Sequence, residues 1–135
     1  MSQQERAVPN LVQREQPRPG VTVARFANGL RAIVKEDHRS EVAVCHVWVR
    51  VGSNWEPDHL RGWAHGIEHM VFKGTARRRE SDFAREVAEA GGSTNAGTGY
   101  ETTSYYIELP AAHLDRACDI LSDALGGATF APESL

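Results

Sequence analysis

From Val21 onward the apolar positions recur with a period of two, then near four, then alternate between the two. "VTVARFANGLRAIVKE" (21–36) holds two extended runs joined at Asn28-Gly29. Both turn residues tolerate positive φ, so the pattern predicts a β-hairpin. "EVAVCHVWVRVG" (41–52) predicts a third strand, with Ala43, Cys45, Val47, Val49 and Val51 on one face and Val42, Val44, His46 and Trp48 on the other. Apolar character on both faces predicts a central strand covered, at least in part, on both sides. "GSNWEPDHLRG" (52–62) reads as a loop, followed by a helix from about Arg61 to Lys73 that Gly74 stops. Ser81 is a candidate N-cap for "DFAREVAEA", which ends at Gly91-Gly92. "GGSTNAGTGYE" (91–101) is polar and Gly-rich and by itself reads as a loop; it lacks the Gly-Lys-Ser/Thr ending of a phosphate loop. "TTSYYIEL" predicts a strand with Thr103, Tyr105, Ile107 and Leu109 on one face. Pro110 then opens a helix with Leu114, Ala117, Cys118, Leu121, Ala124 and Leu125 at helical spacing, stopped by Gly126-Gly127. "APESL" reads as the first turn of another helix. Strands interleaved with helices predict an α+β class, a mixed and largely antiparallel sheet with helices packed on one face.

Composition narrows the function classes. A chain of 135 residues, 41% hydrophobic and 24% charged, is the size and make-up of one ordinary globular domain. Its net charge of −3 supplies no electrostatic basis for binding nucleic acid or an anionic membrane. The one basic run, Arg77-Arg78-Arg79, has no interleaved aromatic platform and reads as a solvated loop. No apolar run reaches the roughly 18–20 residues of a membrane span. Residues 1–20 are polar, without a hydrophobic stretch like that of a secretory signal, and read as a flexible lead before structure begins near Val21. A cytoplasmic location is the default expectation, with periplasmic and organellar locations left open. Cys45 and Cys118 fit no CxxC pattern and read as reduced core residues.

The chemistry concentrates in "AHGIEHMVFKGT" (64–75). At 100° per residue, His65 and His69 lie about 40° apart and one turn along a helix, so both imidazoles can reach one ion. Zinc accepts such nitrogen ligands. Glu68 lies on nearly the same side, within reach of a water on that ion and able to take its proton. His46, mid-strand, reads as a satisfied, partly buried residue, and His38, His59 and His113 as surface positions.

H-x-x-E-H is the reversed HExxH signature, and here the chain resembles the inverzincin zinc metallopeptidases of the pitrilysin, insulin-degrading enzyme and mitochondrial processing peptidase type. The resemblance runs from about Val21 to Leu135. "GSNWEPDHLRGWAHGIEHMVFKGT" is similar to that family's glycine-serine loop, active-site helix and phenylalanine-lysine-glycine-threonine segment. "GGSTNAGTGYETTSYYIEL" resembles its Asn-Ala-x-Thr…Glu-x-Thr-x-Tyr-Tyr segment, "RACDILSDAL" its next helix and "FAPESL" the start of the one after. The resemblance implies residues 21–135 as the N-terminal portion of a peptidase domain, with His65 and His69 as Zn2+ ligands and Glu68 as general base. It implies Asn95 and Ala96 on an edge strand along which an extended peptide or unfolded polypeptide lies, so that the second half of 91–101 becomes strand. It implies Glu101 as an acid near the site that supports the metal ligands.

Two departures stand out. Gly66 replaces a bulky residue and implies either a looser site or the close approach of another backbone. The family's third ligand is a glutamate roughly 75 residues past the second histidine, whereas 66 residues follow His69. Glu101 and Glu133 are the candidate substitutes. Cys118 or Cys45 would instead resemble the related autoinducer-producing lyase. The reading adopted is an incomplete site: a zinc-dependent endopeptidase whose 135-residue portion is incomplete or weakly active by itself. The rival is a non-catalytic binding or assembly subunit of a peptidase-like complex. Family members pair their domains, which implies a second peptidase-like domain or a homo-oligomer as partner.

Overall fold

The computed structural model describes residues 10–132 and shows an α+β chain in two compact units, Met1–Ser40 and Glu41–Leu135. Residues 1–9 and 133–135 lie outside the described residues, and with them the first nine positions of the expected lead and Glu133 of the expected final helix.

The first unit is a three-stranded antiparallel sheet in the order β1-β2-β3: β1 (Leu11–Arg18), β2 (Val21–Phe26) and β3 (Arg31–Lys35). The hairpin at Asn28-Gly29 forms as its sequence predicts. Gly29 has φ of 86°, and the Leu30 amide donates to the Asn28 side-chain oxygen at 3.0 Å. Within the lead expected over 1–20, Leu11–Arg18 is a strand. All eight of its residues are exposed, so no apolar pattern announced it. What makes it a strand is the free main-chain edge of β2, which any sequence can pair. Pro17 falls within a register shift between Glu15 and Arg18, where a missing amide costs the ladder nothing.

The second unit carries the helices. Its sheet runs β4-β6-β5, with β4 (Val42–Val49), β5 (Ser93–Thr98) and β6 (Thr103–Pro110) all antiparallel. The antiparallel sheet expected as one is therefore present as two three-stranded sheets. Helices α1 (Trp63–Val71), α2 (Glu80–Glu89) and α3 (Leu114–Gly127) complete the unit. The core is built by Tyr105, Ile107 and Leu109 of β6, Phe83 and Val87 of α2, and Ala117, Ile120, Leu121 and Ala124 of α3. Each large side chain fully buried here contributes about 1.5–3 kcal/mol. β6 alternates as predicted, with its odd-numbered residues inward. β4 is an edge strand, not the expected central one. Ala43, Cys45 and Val47 pack on the core, while Val42, Val44 and Trp48 remain exposed on the other face. The strand within 91–101 spans Ser93–Thr98, earlier than expected, because 99–102 makes the turn into β6.

The basic run is the clearest departure from the sequence reading. Arg78 is buried and donates to Glu86 of α2 at 3.1 Å, and to Asp119 and Asp123 of α3 at 2.5 and 3.0 Å. Arg77 pairs with Asp119 at 3.0 Å. The run is an internal clamp because three acids from two helices converge on it, a juxtaposition that no local pattern reveals. Burial opposes the Arg78 charge, but these acids outweigh it and raise its pKa. Among the described residues, no helix is long and apolar enough to cross a membrane.

Candidate metal centre

The site is organised by α1, and α1 by the loop before it. Gly62 takes φ of 96°, a left-handed conformation that favours glycine and turns the chain into the helix. The Glu56 carboxylate accepts hydrogen bonds from the Gly62 amide at 2.8 Å and the Ala64 amide at 2.6 Å. Amides at a helix N-terminus lack intrahelical partners, so a carboxylate here satisfies two of them and meets the positive end of the helix dipole. The Ala64 and Gly62 amides hold the Glu56 carboxyl below its usual range.

Within α1 the buried residues are Ala64, Glu68, Met70 and Val71. Ala64, Glu68 and Val71 recur at four- and three-residue spacing, the stripe of an amphipathic helix. Glu68 thus sits on the inner stripe, 8% exposed, while His65 and His69 lie one step round at the exposed rim. Their Nε2 atoms are 2.9 Å apart. Ligand atoms of His65, Glu68 and His69 all lie within 4.8 Å of one another, and no further His, Cys, Asp or Glu joins this group among the described residues. Two nitrogens each about 2.0–2.1 Å from a tetrahedral zinc ion lie roughly 3.3–3.4 Å apart, so the two imidazoles stand within about half an ångström of the spacing one such ion needs.

Glu68 is not left alone at the bottom of the cleft. The Thr98 hydroxyl, at the end of β5, donates a short hydrogen bond to its Oε2. That fixes one carboxylate oxygen, and among the described residues no donor meets the other. Beneath it lies buried Tyr105, whose phenol is pushed up in pKa by burial and by the Glu68 charge. The cleft has a volume of ≈ 390 Å³ and is lined by His65 and Glu68 on one side and Ala96, Gly97 and Thr98 of β5 on another.

Asn95 and Ala96 lie on β5, an edge strand beside the cleft. Asn95 is exposed, its side-chain oxygen accepting from the Ala96 amide at 2.9 Å, and Ala96 packs partly against the core. Glu101 is not brought into the histidine group. It accepts from Asn54 Nδ2 at 2.9 Å and ties the 53–55 turn to the 99–102 turn. Those turns also share amide bonds from Ser53 to Gly99 (3.0 Å) and Asn54 to Tyr100 (2.9 Å). Cys45 and Cys118 are likewise outside the group; their Sγ atoms face each other at 3.8 Å, and Cys118 is exposed, not core. Of the two readings of Gly66, close backbone approach is not met: a Cβ there would find nothing within 4 Å.

Three contributors escaped the sequence reading: Thr98, Glu56 and Gly52. Thr98 is the threonine of the Asn-Ala-x-Thr pattern, so its position carried a signal although its partner did not. Gly52 is required by packing, since a Cβ on it would stand 2.4 Å from the Gly99 carbonyl oxygen.

Comparison with known proteins matches this architecture. Residues 31–135 fit the family model described as "Insulinase (Peptidase family M16)". A probable mitochondrial-processing peptidase subunit beta of Arabidopsis thaliana is 37% identical over 112 residues, 83% of this chain and 21% of the relative. An uncharacterized zinc protease of Rickettsia felis is 34% identical over 113 residues, 84% of this chain and 27% of the relative. Among solved structures, a protease from Helicobacter pylori superposes with a TM-score of 0.80 at 27% identity, covering 93% of this chain and 29% of that one. Pitrilysin superposes with a TM-score of 0.76 at 28% identity, covering 89% of this chain and 12% of that one. The chain thus spans about a fifth to a quarter of the length of the curated relatives it matches. With the family model covering most of its length, this chain belongs to the insulinase family of peptidases, family M16.

Proposed function

We propose that this chain carries the metal-binding helix and substrate-binding edge of a zinc metalloendopeptidase that cleaves extended peptides. The observation that carries the reading is the grouping of His65, Glu68 and His69 within 4.8 Å beside the open edge of β5. His65 and His69, whose Nε2 atoms face each other, would hold zinc. When bound, zinc polarises a substrate carbonyl and lowers the pKa of water. Glu68 takes the proton from the attacking water and returns it to the leaving amine. Thr98 holds the Glu68 carboxylate in place for both transfers. An extended peptide adds to β5 by main-chain hydrogen bonds, passing Asn95 and Ala96 toward the histidines. Recognition through the main chain makes peptides and unfolded polypeptides the substrate class. Glu101 supports the cleft through Asn54.

With two imidazoles and one base, the chain by itself binds zinc weakly and hydrolyses poorly; a second peptidase-like domain or subunit completes the catalytic unit. One relative's description as a subunit beta supports an assembled enzyme. A calorimetric zinc titration of this chain is expected to show weak binding that His65→Ala or His69→Ala abolishes. In the complete peptidase, Glu68→Gln is expected to lower kcat by about 100-fold or more with zinc content unchanged. Wild-type cleavage by the Glu68→Gln enzyme would exclude the general-base role. Full activity of the short chain would exclude the need for a completing partner. Zinc retention without any peptidase activity in the complete protein would favour a binding subunit.

A further inference from the structure

We propose that Cys45 and Cys118 form a reversible dithiol/disulfide pair, a modification site that joins the edge strand β4 to α3 when oxidised. They are the chain's only two cysteines, 73 positions apart in sequence, yet their sulfurs meet at 3.8 Å. Cys45 is on the inner face of β4, opposite Ile107 of β6, and Cys118 follows the fully buried Ala117 on α3. Forming a bond of about 2.05 Å needs the sulfurs to close by roughly 1.8 Å, the scale of a side-chain rotation. Strand and helix are already packed on a common core, so the fold holds the pair in place.

The two thiols are not equivalent. Cys118 is exposed and is the entry point for an oxidant, whereas Cys45 is half-buried. With a small-molecule disulfide such as glutathione disulfide, the Cys118 thiolate attacks one sulfur and releases one glutathione. Cys45 then loses its proton and attacks the Cys118 sulfur, forming the protein disulfide and releasing the second glutathione. Two protein thiols are oxidised by two electrons, and one glutathione disulfide is reduced to two thiols. Burial and the neighbouring Cys118 push the Cys45 thiol up to about 12. The mixed disulfide places its electrophilic Cys118 sulfur beside Cys45, which favours the second step. The closed loop contains all of α1, α2, β5 and β6, and so every residue of the metal group.

The test is equilibration of the full chain, at low protein concentration, in glutathione redox buffers with and without urea. Thiols are counted chemically, and linked peptides are identified by mass spectrometry without reduction. The expected result is joint loss of both thiols, a Cys45–Cys118 linked peptide within one chain, and full reversal by dithiothreitol. The equilibrium constant for the linked form is expected to fall at least tenfold in urea. The thermal unfolding midpoint is expected to rise by roughly 5 °C or more on oxidation. Cys45→Ser is expected to stop at a stable glutathione adduct on Cys118. Such an adduct in the unmodified chain, with the Cys45 thiol intact, would overturn the proposal. So would linkage only between chains, or an equilibrium constant unchanged by urea.

Discussion

Glu68 shows how much a single position depends on its neighbours. Its place on the inner stripe of α1 puts a carboxylate at the floor of the cleft, and the Thr98 hydroxyl fixes one of its oxygens. Thr98→Val keeps the shape and removes the donor. On the proposed peptidase function, this change in the complete protein is expected to lower kcat about tenfold, the equivalent of roughly 1.4 kcal/mol, with KM and zinc content near normal. Restoration of kcat by Thr98→Ser would tie the loss to the hydroxyl, and a rise in KM alone would point to substrate packing. Gly66, two residues before Glu68, has open space where a side chain would stand. Glycine inside a helix costs about 1 kcal/mol relative to alanine. Gly66→Ala is therefore expected to stabilise the chain by about 0.5–1 kcal/mol in urea unfolding. Destabilisation would refute the open space at this position.

Helix α1 is nine residues long and would be marginal by itself. The Glu56 carboxylate at its start and the paired turns 53–55 and 99–102 fix where it begins and how it faces β5. Gly52 is the contact that lets those turns meet, with a Cβ position 2.4 Å from the Gly99 oxygen and 2.6 Å from the Tyr100 oxygen. Gly52→Ala is expected to force the turns apart, breaking the Ser53 and Asn54 amide bonds. The loss is expected to be about 1–3 kcal/mol in stability, and larger in zinc affinity than for an equally destabilising change on α2. Faster amide exchange at Ser53 and Asn54 would report the break, and wild-type exchange there would refute it.

Across the larger unit, the Arg77-Arg78 clamp joins the segment after α1 to α2 and α3. The Arg78 guanidinium holds the Asp119 carboxyl below its ordinary range, opposed by burial and helped by Arg77. A carboxyl lowered in the folded state contributes stability that is fully present above its unfolded pKa, about 4, and is lost as pH falls through its folded value. The unfolding midpoint is therefore expected to be level from pH 7 to 5 and to drop below about pH 4. Asp119→Asn should be less stable at neutral pH and show a shallower acid slope; parallel curves for the two proteins would exclude Asp119 as a source. The same unit leaves Val42, Val44 and Trp48 exposed on the outer sheet face, along with Trp55, Ile67 and Tyr100.

By itself the sequence determined the α+β class, the Asn28-Gly29 hairpin, the buried face of β6 and the helical spacing of His65, Glu68 and His69. All four depend on contacts within a few residues: a turn that needs positive φ, a period of two, a period near four. Only the tertiary structure decided the rest. β1 is a strand because β2 has an edge to pair, although its own side chains are exposed. β4 is an edge strand although its pattern is apolar on both faces, because the helices cover only one of them. Arg78 is buried, Thr98 meets Glu68, and Cys45 meets Cys118 through partners 8–73 positions away. Such contacts are set by how strands and helices pack, and packing partners leave no mark in the local pattern of either segment.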